Sequence, residues 1–340
     1  MKNAQVVFAA PLQVEIESRG LRAPGRGEVL IETICSLISN GTEGTLLAAA
    51  PGLGETWSKL ASFPRDVGYS NVGRVVECGA EVDASWRDRI VSSHGPHAAW
   101  ITVRADELRP VPDGVDPESA AFTTLAEVAL NGLRRGALAW GERALVCGLG
   151  LLGQLTARAA AFAGARPVIG TDRSPSRMAK LPRTPSFVAI PADADALDTQ
   201  VRAAAGGALV DVAFEVSGHP DAMRALPALV REQGRIVVLS SPSGETRFDF
   251  HDGCNRASLS IIGTHYFSHP PRATADAPWS AQRHAEIFLA ALAHGEMEVA
   301  SLISHRFPYT RAADAYRAVL GERDAALAVV LDWRESEGRP

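Results

Sequence analysis

A glycine-rich segment in the middle of the chain restricts the possible folds most strongly. Residues 148–153 read GLGLLG, and they follow an apolar strand-like run and precede an Ala- and Leu-rich run. The order strand, glycine turn, helix is the context that a phosphate-binding turn needs. Gly148 permits the tight turn, Gly150 lets a pyrophosphate approach the backbone, and Gly153 allows the helix to pack closely on the strand. The segment predicts the first unit of a dinucleotide-binding domain.

The continuation of this segment predicts which dinucleotide is bound. The first turn of the helix, at Leu151 and Leu152, would present N–H groups and partial positive charge to the phosphates. The next apolar run ends at Asp172, close to the spacing of about 20 residues after the turn that such a fingerprint shows. A carboxylate there accepts hydrogen bonds from ribose hydroxyls and repels a 2′-phosphate, which favours NAD over NADP. Arg173 favours NADP instead, because a neighbouring guanidinium can hold a 2′-phosphate. The alternative interpretation of the whole segment is a glycine turn without any ligand.

The region around the glycine turn alternates between strand-like and helix-like runs. This alternation predicts a parallel, doubly wound α/β sheet. Ligands bind at the carboxyl ends of strands in such sheets, so Ser217, Ser240 and Thr264 are expected to border the nicotinamide. His265 is a further candidate for proton transfer, with a structural role as the alternative. The predicted strand runs are 144–147, 167–170, 210–214, 235–239 and 259–262. Helices are predicted in the Ala- and Leu-rich run 117–136 and in the runs 151–164 and 219–231.

The flanking regions have a different texture. Residues 1 to about 115 contain short apolar runs broken by Gly and Pro, which is typical of a partly open β-barrel. After residue 268 we expect a loop, two helices and two further strands. The predicted organisation is therefore a catalytic barrel-like domain over 1–118 and 269–340, and a Rossmann domain over 119–268.

Composition excludes several classes of partner. The formal charge is -5 and the basic residues are scattered, which argues against nucleic-acid binding. No apolar run reaches the roughly 18 residues of a membrane span, and the start has no signal-peptide pattern. The four cysteines are far apart and form no CxxC pair, so neither a disulfide scaffold nor a compact zinc lobe is expected. A cytoplasmic location follows from this pattern.

The order of these elements resembles the medium-chain dehydrogenase/reductase family, which includes the zinc alcohol dehydrogenases. The segment 67–79, VGYSNVGRVVECG, looks like the family's GHExxGxVxxxG segment with the His and Glu replaced. The resemblance covers nearly the whole chain. It implies a GroES-like barrel into which the Rossmann domain is inserted, and it implies a homodimer in which the last Rossmann strand, near 259–264, pairs with its symmetry mate.

The resemblance also predicts that zinc is absent. Asn40 stands where zinc-dependent members have their first Cys ligand, and Tyr69 stands where they have the ligand His. The third ligand position falls in 121–124, AFTT, which contains no Cys. Asn, Tyr and Thr are not a plausible zinc set. His94 and His97 lie at the two ends of a predicted turn. A structural or substrate-contacting role is expected for them, and a metal site is the alternative.

Without zinc, another group must stabilise the oxygen of the reacting carbon. Tyr69 is the first candidate, since its phenol would point where the ligand His points; filling the vacated volume is the alternative. Thr42 matches the family's proton-relay hydroxyl, or is simply a turn residue. Asn40 could hydrogen-bond the substrate oxygen. Glu127 would supply a carboxylate if it faces the cleft, and a position on a solvated helix face is the alternative. Glu43 is expected to form a structural ion pair, with an Arg as the candidate partner.

These features predict a zinc-independent, NAD(P)-dependent oxidoreductase. Its substrate would be a polar small molecule, such as a polyol, a sugar-like ring or a biosynthetic intermediate, on which it interconverts an alcohol and a ketone or aldehyde. The stretch 36–43, SLISNGTE, resembles zinc-lacking members that include the bacteriochlorophyllide dehydrogenases. Two alternatives stay open: a zinc-free NADPH-dependent reductase of double bonds or quinones, and a non-redox nucleotide-binding module.

Overall fold

The computed structural model describes residues 2–49 and 55–334. The chain forms two compact units, one made of Met1–Leu125 with Ala285–Pro340 and the other of Ala126–His284. Both transitions fall inside helices, 7 and 16 residues later along the chain than the predicted boundaries at 118 and 268. Those boundaries stay a proposal about where the two folding domains divide.

The first part of the chain is mostly strand, in agreement with its Gly- and Pro-punctuated pattern. Its helices are short until residue 123. The strands are β1 (Lys2–Ala10), β2 (Gln13–Gly20), β3 (Glu28–Ile38), β4 (Arg65–Asp66), β5 (Asn71–Cys78), β6 (Ile90–Ser93), β7 (Trp100–Arg104) and β8 (Arg109–Pro110), and the helices are α1 (Asn40–Ala48), α2 (Glu55–Leu60), α3 (Pro117–Ala120) and α4 (Thr123–Arg135).

The middle and the end of the chain alternate between strands and helices. The middle strands are β9 (Ala144–Cys147), β10 (Val168–Asp172), β11 (Phe187–Pro191), β12 (Val210–Glu215), β13 (Val230–Val238) and β14 (Ser260–Gly263), and the helices between them are α5 (Leu151–Phe162), α6 (Pro175–Met178), α7 (Leu197–Ala204) and α8 (Ala222–Ala225). The chain ends with α9 (Ala281–Ala293), β15 (Ile303–Pro308), α10 (Ala312–Gly321) and β16 (Ala328–Asp332).

The first unit contains two sheets. One has the order β2-β1-β4, and the other has the order β15-β16-β3-β5-β6-β8 with β7 paired to β3. The C-terminal strand β16 pairs antiparallel with β3, so the end of the chain completes the sheet that its beginning starts. Phe8, Tyr316 and Trp333 are fully buried in the core of this unit. Burial of such large aromatic side chains stabilises the unit through the hydrophobic effect.

The second unit contains one sheet with the order β11-β10-β9-β12-β13-β14, and all its strand pairs are parallel. Numbered along the chain, this is the order 3-2-1-4-5-6 of a doubly wound nucleotide-binding sheet. The central strands are buried, with Leu145, Ile169, Ala213 and Ile236 fully inaccessible to solvent. The predicted parallel sheet is confirmed.

Two predicted helices differ from the structure. The Ala-rich run 117–136 forms two helices, α3 and α4, rather than one. The run 219–231 forms only the short α8 and a 3₁₀ turn at Leu226–Ala228, and β13 already begins at Val230. Pro227 lacks a backbone N–H and clashes with a preceding helical turn, which ends the helix early. No helix in the described ranges is long and apolar enough to cross a membrane.

Candidate active site

The nucleotide-binding candidates lie at one edge of the parallel sheet. Cys147, at the end of β9, is level with Thr171 on one side and with Glu215 on the other. Glu215 is in turn level with Val238, and Val238 with Gly263. Because parallel strands that are in register end together, the residues that follow them share this edge. They are Gly148, Asp172, Ser217, Ser240 and Thr264.

The glycine turn has the backbone geometry that its sequence predicts. Gly148 has φ +99, and a Cβ atom there would lie 2.6 Å from the Cα of Ser217. A Cβ atom on Gly153 would lie 1.9 Å from the Gly148 carbonyl oxygen, so only glycine fits at both positions. Gly150 is different, because no atom of the chain lies within 4 Å of a Cβ built there. The open space at Gly150, at the beginning of α5, fits the approach of a pyrophosphate.

Asp172 ties the second strand to this turn. One carboxylate oxygen accepts a hydrogen bond from the backbone N–H of Leu149 at 2.7 Å, and the other accepts from the N–H of Ser174 at 2.9 Å. The Arg177 guanidinium lies 3.9 Å from the same carboxylate, and Arg173 is exposed. A carboxylate offers about four acceptor positions, so two stay available for the hydroxyls of a ribose.

The serines at the strand ends have a partner that the sequence did not suggest. Glu215 is fully buried, and its carboxylate accepts hydrogen bonds from the hydroxyls of Ser217 and Ser240. It also accepts from the Ser217 backbone N–H at 2.8 Å. The Ser240 hydroxyl therefore connects the end of β13 to β12, and the Ser217 hydroxyl folds back onto the end of its own strand. Thr264 is buried, and its hydroxyl accepts from the Asn131 amide at 3.3 Å.

Three of the four predicted catalytic residues lie in the first unit, and two of these are in contact. The phenol of the half-buried Tyr69 is hydrogen-bonded to the hydroxyls of Ser39 and Thr42. Burial raises the pKa of Tyr69 to about 12, and the negative charge of Glu43 adds to that rise. Tyr69 is therefore a protonated hydrogen-bond donor at neutral pH. Ser39 was not singled out from the sequence, although it directly precedes the predicted Asn40.

Asn40 and Thr124 are held by backbone carbonyl groups. The Asn40 side-chain N–H₂ donates to the carbonyl oxygens of Ala326 and Leu327, at 2.7 and 3.0 Å. This fixes the amide, and its buried Oδ1 atom has no hydrogen-bond partner among the described residues. Thr124 donates to the Tyr69 carbonyl oxygen at 2.9 Å. Thr124 thus holds the backbone of Tyr69.

The fourth predicted catalytic residue, Glu127, belongs to the second unit. It lies on α4 and is fully buried, so the alternative of a solvated helix face is wrong. The two turn histidines, His94 and His97, lie between β6 and β7, as predicted, and His97 is fully buried.

Glu43 does not pair with an arginine. Its carboxylate lies 3.1 Å from His97 Nε2 and accepts a hydrogen bond from the Tyr316 hydroxyl. His97 Nδ1 is 2.8 Å from the Ser36 hydroxyl, to which the Trp333 indole N–H also donates. The expected ion pair with an Arg is therefore wrong, because these partners come from distant parts of the chain. Nothing in the local sequence around Glu43 indicated them.

The side chains at the three ligand positions do not fit zinc. Zinc in proteins is held by thiolate, imidazole or carboxylate groups. Asn40 and both threonines of 121–124, Thr123 and Thr124, donate their polar hydrogens to backbone carbonyl groups, and the Tyr69 phenol is hydrogen-bonded to two hydroxyls. In the ranges that the structure covers, His, Cys, Asp and Glu form no cluster of three that could hold a metal ion.

Comparison with known proteins identifies relatives along the whole chain. The family model described as zinc-binding dehydrogenase matches residues 152–281. The chain is similar to the L-galactonate-5-dehydrogenase of Escherichia coli K12, with 24% identity over 96% of this chain and 98% of that protein. It is also similar to the 2-desacetyl-2-hydroxyethyl bacteriochlorophyllide A dehydrogenase of Rhodobacter capsulatus, with 24% identity over 99% and 100% of the two chains.

Solved structures share the fold. One, from Escherichia coli CFT073, is described as an alcohol dehydrogenase complexed with NADH, and it superposes with a TM-score of 0.81 at 18% identity. The match covers 97% of this chain and 99% of the other. It confirms the predicted fold class, a Rossmann sheet inserted in the sequence of a GroES-like, partly open barrel. These matches support the resemblance to the medium-chain dehydrogenase/reductase family, which includes the zinc alcohol dehydrogenases.

Proposed function

We propose that this protein is a dehydrogenase that interconverts an alcohol and its ketone or aldehyde with NAD, and that it does so without zinc. One observation carries the proposal. Where the family has a ligand His, this chain has a phenol that is hydrogen-bonded to the hydroxyls of Ser39 and Thr42. This arrangement supplies a proton donor at the position from which zinc would otherwise polarise the substrate oxygen.

In this proposal the residues of each unit have their own task. A bound nicotinamide would supply or accept the hydride that the carbinol carbon of the substrate exchanges. Residues of the sheet edge, the glycine turn and Asp172, hold the dinucleotide. In the direction of reduction, the Tyr69 O–H donates to the carbonyl oxygen and transfers its proton as the alcohol forms. Thr42 and Ser39 hydrogen-bond to the phenol oxygen, stabilise the charge that develops there, and relay to it a proton taken from solvent, so that each reduction consumes one hydride and one proton.

The substrate that we propose is a polar small molecule with more than one hydroxyl. The fixed amide of Asn40 leaves a buried acceptor oxygen without a partner, and a buried acceptor of this kind is costly unless something donates to it. A second hydroxyl on the substrate would satisfy it. The name of the L-galactonate-5-dehydrogenase describes a polyhydroxylated acid as the substrate of that relative, which supports the same class here.

We propose NAD as the preferred cofactor over NADP. The Asp172 carboxylate lies at the end of β10 and repels a 2′-phosphate. Arg173 and Arg177 stand nearby on the chain, and the pairing of Arg177 with Asp172 at 3.9 Å reduces the positive charge offered to such a phosphate. Replacement of Asp172 by Asn would reduce the preference for NAD over NADP. It would also weaken the hydrogen bond from the Leu149 N–H.

The compartment is part of the proposal as well. All four cysteines, Cys35, Cys78, Cys147 and Cys254, are free thiols. A chain of this size with only unpaired cysteines suits a reducing compartment, and we propose the cytoplasm.

The test is a nucleotide titration followed by a substrate screen. NADH and NADPH are titrated against the purified protein by quenching of tryptophan fluorescence, and polyols, sugar acids and their ketones are then screened for nicotinamide absorbance changes. We expect tighter binding of NADH and turnover of a polyhydroxylated alcohol or ketone. Preference for NADPH with turnover of an activated double bond would contradict the proposal, as would the absence of binding of either nucleotide.

A further inference from the structure

The carboxylate of Glu43 is buried in the first unit, and three hydrogen-bond donors surround it. Its side chain is 2% exposed. One oxygen accepts from the backbone N–H of Ser39 at 2.8 Å, and the other accepts from the Tyr316 hydroxyl and faces His97 Nε2 at 3.1 Å. Buried charges are rare in proteins unless they are paired or fully hydrogen-bonded. Because its three donors come from three parts of the chain, the carboxylate of Glu43 is held in one position within the unit.

The chain of hydrogen bonds behind Glu43 has one assignment that gives every polar group a partner. The Trp333 indole N–H donates to the Ser36 oxygen at 2.8 Å. The Ser36 O–H then donates to His97 Nδ1, also at 2.8 Å, and the Nε2–H donates to Glu43. This assignment follows from matching donors to acceptors.

Glu43 also closes the first turn of α1. Its backbone N–H donates to the Ser39 carbonyl oxygen at 2.9 Å, while its side chain accepts from the Ser39 N–H. The first bond is the first helical hydrogen bond of α1. The second satisfies the N–H of the N-cap residue, as the acidic residue of a capping box does, while the Ser39 hydroxyl makes no cap hydrogen bond. A carboxylate in the first turn is further stabilised by the helix dipole.

This same turn carries the groups that contact Tyr69. Ser39 precedes α1, and Thr42 lies within its first turn, directly before Glu43. Both hydroxyls are hydrogen-bonded to the phenol of Tyr69. From the other side, Thr124 fixes the Tyr69 backbone carbonyl. The position of the phenol thus depends on a turn whose geometry depends on the Glu43 carboxylate.

We propose that Glu43 is a positioning residue for Tyr69. Anchored by His97 and Tyr316, its carboxylate fixes the first turn of α1, and this turn holds the phenol through the hydroxyls of Ser39 and Thr42. The inference deepens the proposed function, because the position of Tyr69 matters for turnover only if Tyr69 donates the proton. The contact itself can be tested without any substrate.

Fluorine NMR of the full chain provides that test. The sequence has four tyrosines, at 69, 266, 309 and 316, so labelling with 3-fluorotyrosine gives four resonances, which single Tyr→Phe variants assign. In Glu43→Gln, we expect the Tyr69 and Tyr316 resonances to move by more than their linewidths, with Tyr266 unchanged. The matched control is Glu118→Gln, which removes a carboxylate of the same unit that pairs with Arg306 and Arg334. It should leave Tyr69 unchanged.

An unchanged Tyr69 resonance in a folded Glu43→Gln protein would overturn the inference, as would an equal shift in Glu118→Gln. If Glu43→Gln does not fold, Tyr316→Phe decides, because it removes one donor from the carboxylate and keeps its charge. A shift of Tyr69 in that variant supports the inference, and no shift overturns it. A failure of the proposed function would show up in a different measurement, because Tyr69→Phe would then keep full activity whatever the NMR result.

Discussion

At the scale of single residues, the central feature is a phenol in place of a metal ligand. Zinc lowers the pKa of a bound oxygen and stabilises negative charge on it. A phenol with a pKa raised to about 12 cannot act as a base at neutral pH, but it is a hydrogen-bond donor over the whole physiological range. We therefore expect this protein to be most effective in the direction of carbonyl reduction, where the donor is needed.

Tyr69→Phe tests this role. The variant keeps the ring and removes the O–H, so we expect kcat/KM for reduction to fall about 100-fold or more, the range typical of a lost general acid. The affinity for NADH should stay the same, because the nucleotide residues lie in the other unit. Steady-state kinetics with fluorescence titration measure both quantities. The matched control is Tyr309→Phe, whose ring stacks on Trp333 at 4.6 Å and should keep its activity.

The opposite result would be equally informative. Full activity of Tyr69→Phe would leave the tyrosine with the role of filling the space of the missing metal. In that case another group, such as Glu127, would have to move the proton.

At the scale of elements, the glycine turn separates two requirements that the sequence motif combines. Gly153 is required by the chain itself, because a Cβ atom would lie 1.9 Å from the Gly148 oxygen. Gly150 is not required by the chain, since a Cβ atom there meets nothing within 4 Å. The open space at Gly150 is therefore available to a bound ligand and is not filled by atoms of the chain.

A pair of alanine variants distinguishes these requirements. Gly150→Ala should keep the thermal stability of the protein and weaken NADH binding about tenfold, or ~1.4 kcal/mol. Gly153→Ala should lower both the melting temperature and the affinity, because the helix can no longer pack on the strand. Thermal unfolding and fluorescence titration of the two variants provide the comparison. Equal NADH affinity for Gly150→Ala and the unmodified protein would contradict the assignment of the turn to phosphate binding.

Local signals explain what could be predicted at this scale. The strand, the glycine turn and the carboxylate at the end of the next strand are all encoded within one short stretch, so sequence predicted this edge of the sheet. Glu215 was missed, although a carboxylate directly after the apolar run 210–214 was a visible signal. The hydrogen-bond chain from Glu43 to Trp333 connects residues nearly 300 positions apart, and no local pattern indicates such partners.

At the scale of the whole molecule, a buried histidine of the second unit should make stability depend on pH. In the second unit, His284 is fully buried and its Nδ1 lies 3.1 Å from that of His269. Burial, followed by the charges of His269, Arg134 and Arg283, lowers the pKa of His284 to about 4. The unfolded chain, with a pKa near 6.5 at this residue, binds the proton more readily than the folded one.

The sign of the effect follows from this difference. Stability is complete above pH 6.5 and decreases as the pH falls from 6.5 to 4, by an amount on the order of 3 kcal/mol. We expect His284→Phe, whose ring can stack on Trp279 as the imidazole does, to lose most of this dependence. Urea unfolding at pH 7 and pH 5 measures it, with the exposed His294→Gln as control. The same dependence in His284→Phe and the control would contradict this prediction.

Assembly is the second prediction at this scale. β14 is the outer strand of the parallel sheet and pairs with β13 on one side. We propose that two copies pair through β14, near 259–264, and form a homodimer. Light scattering after size-exclusion chromatography should give twice the chain mass. Ile262→Pro, which removes an N–H donor of this strand, should give a monomer, and a dimer that persists unchanged would show that the contact lies elsewhere.

The central claim is that this relative of zinc-binding dehydrogenases works without zinc, and the metal content of active protein tests it most directly. The measurement is elemental analysis of purified protein whose turnover of a screened alcohol or ketone is followed before and after dialysis against a strong chelator. Our account predicts far less than one zinc per chain and the same activity after dialysis. One zinc per chain, with activity lost on chelation and restored by zinc, would contradict it and would make Asn40 and Tyr69 neighbours of a metal site rather than replacements for one.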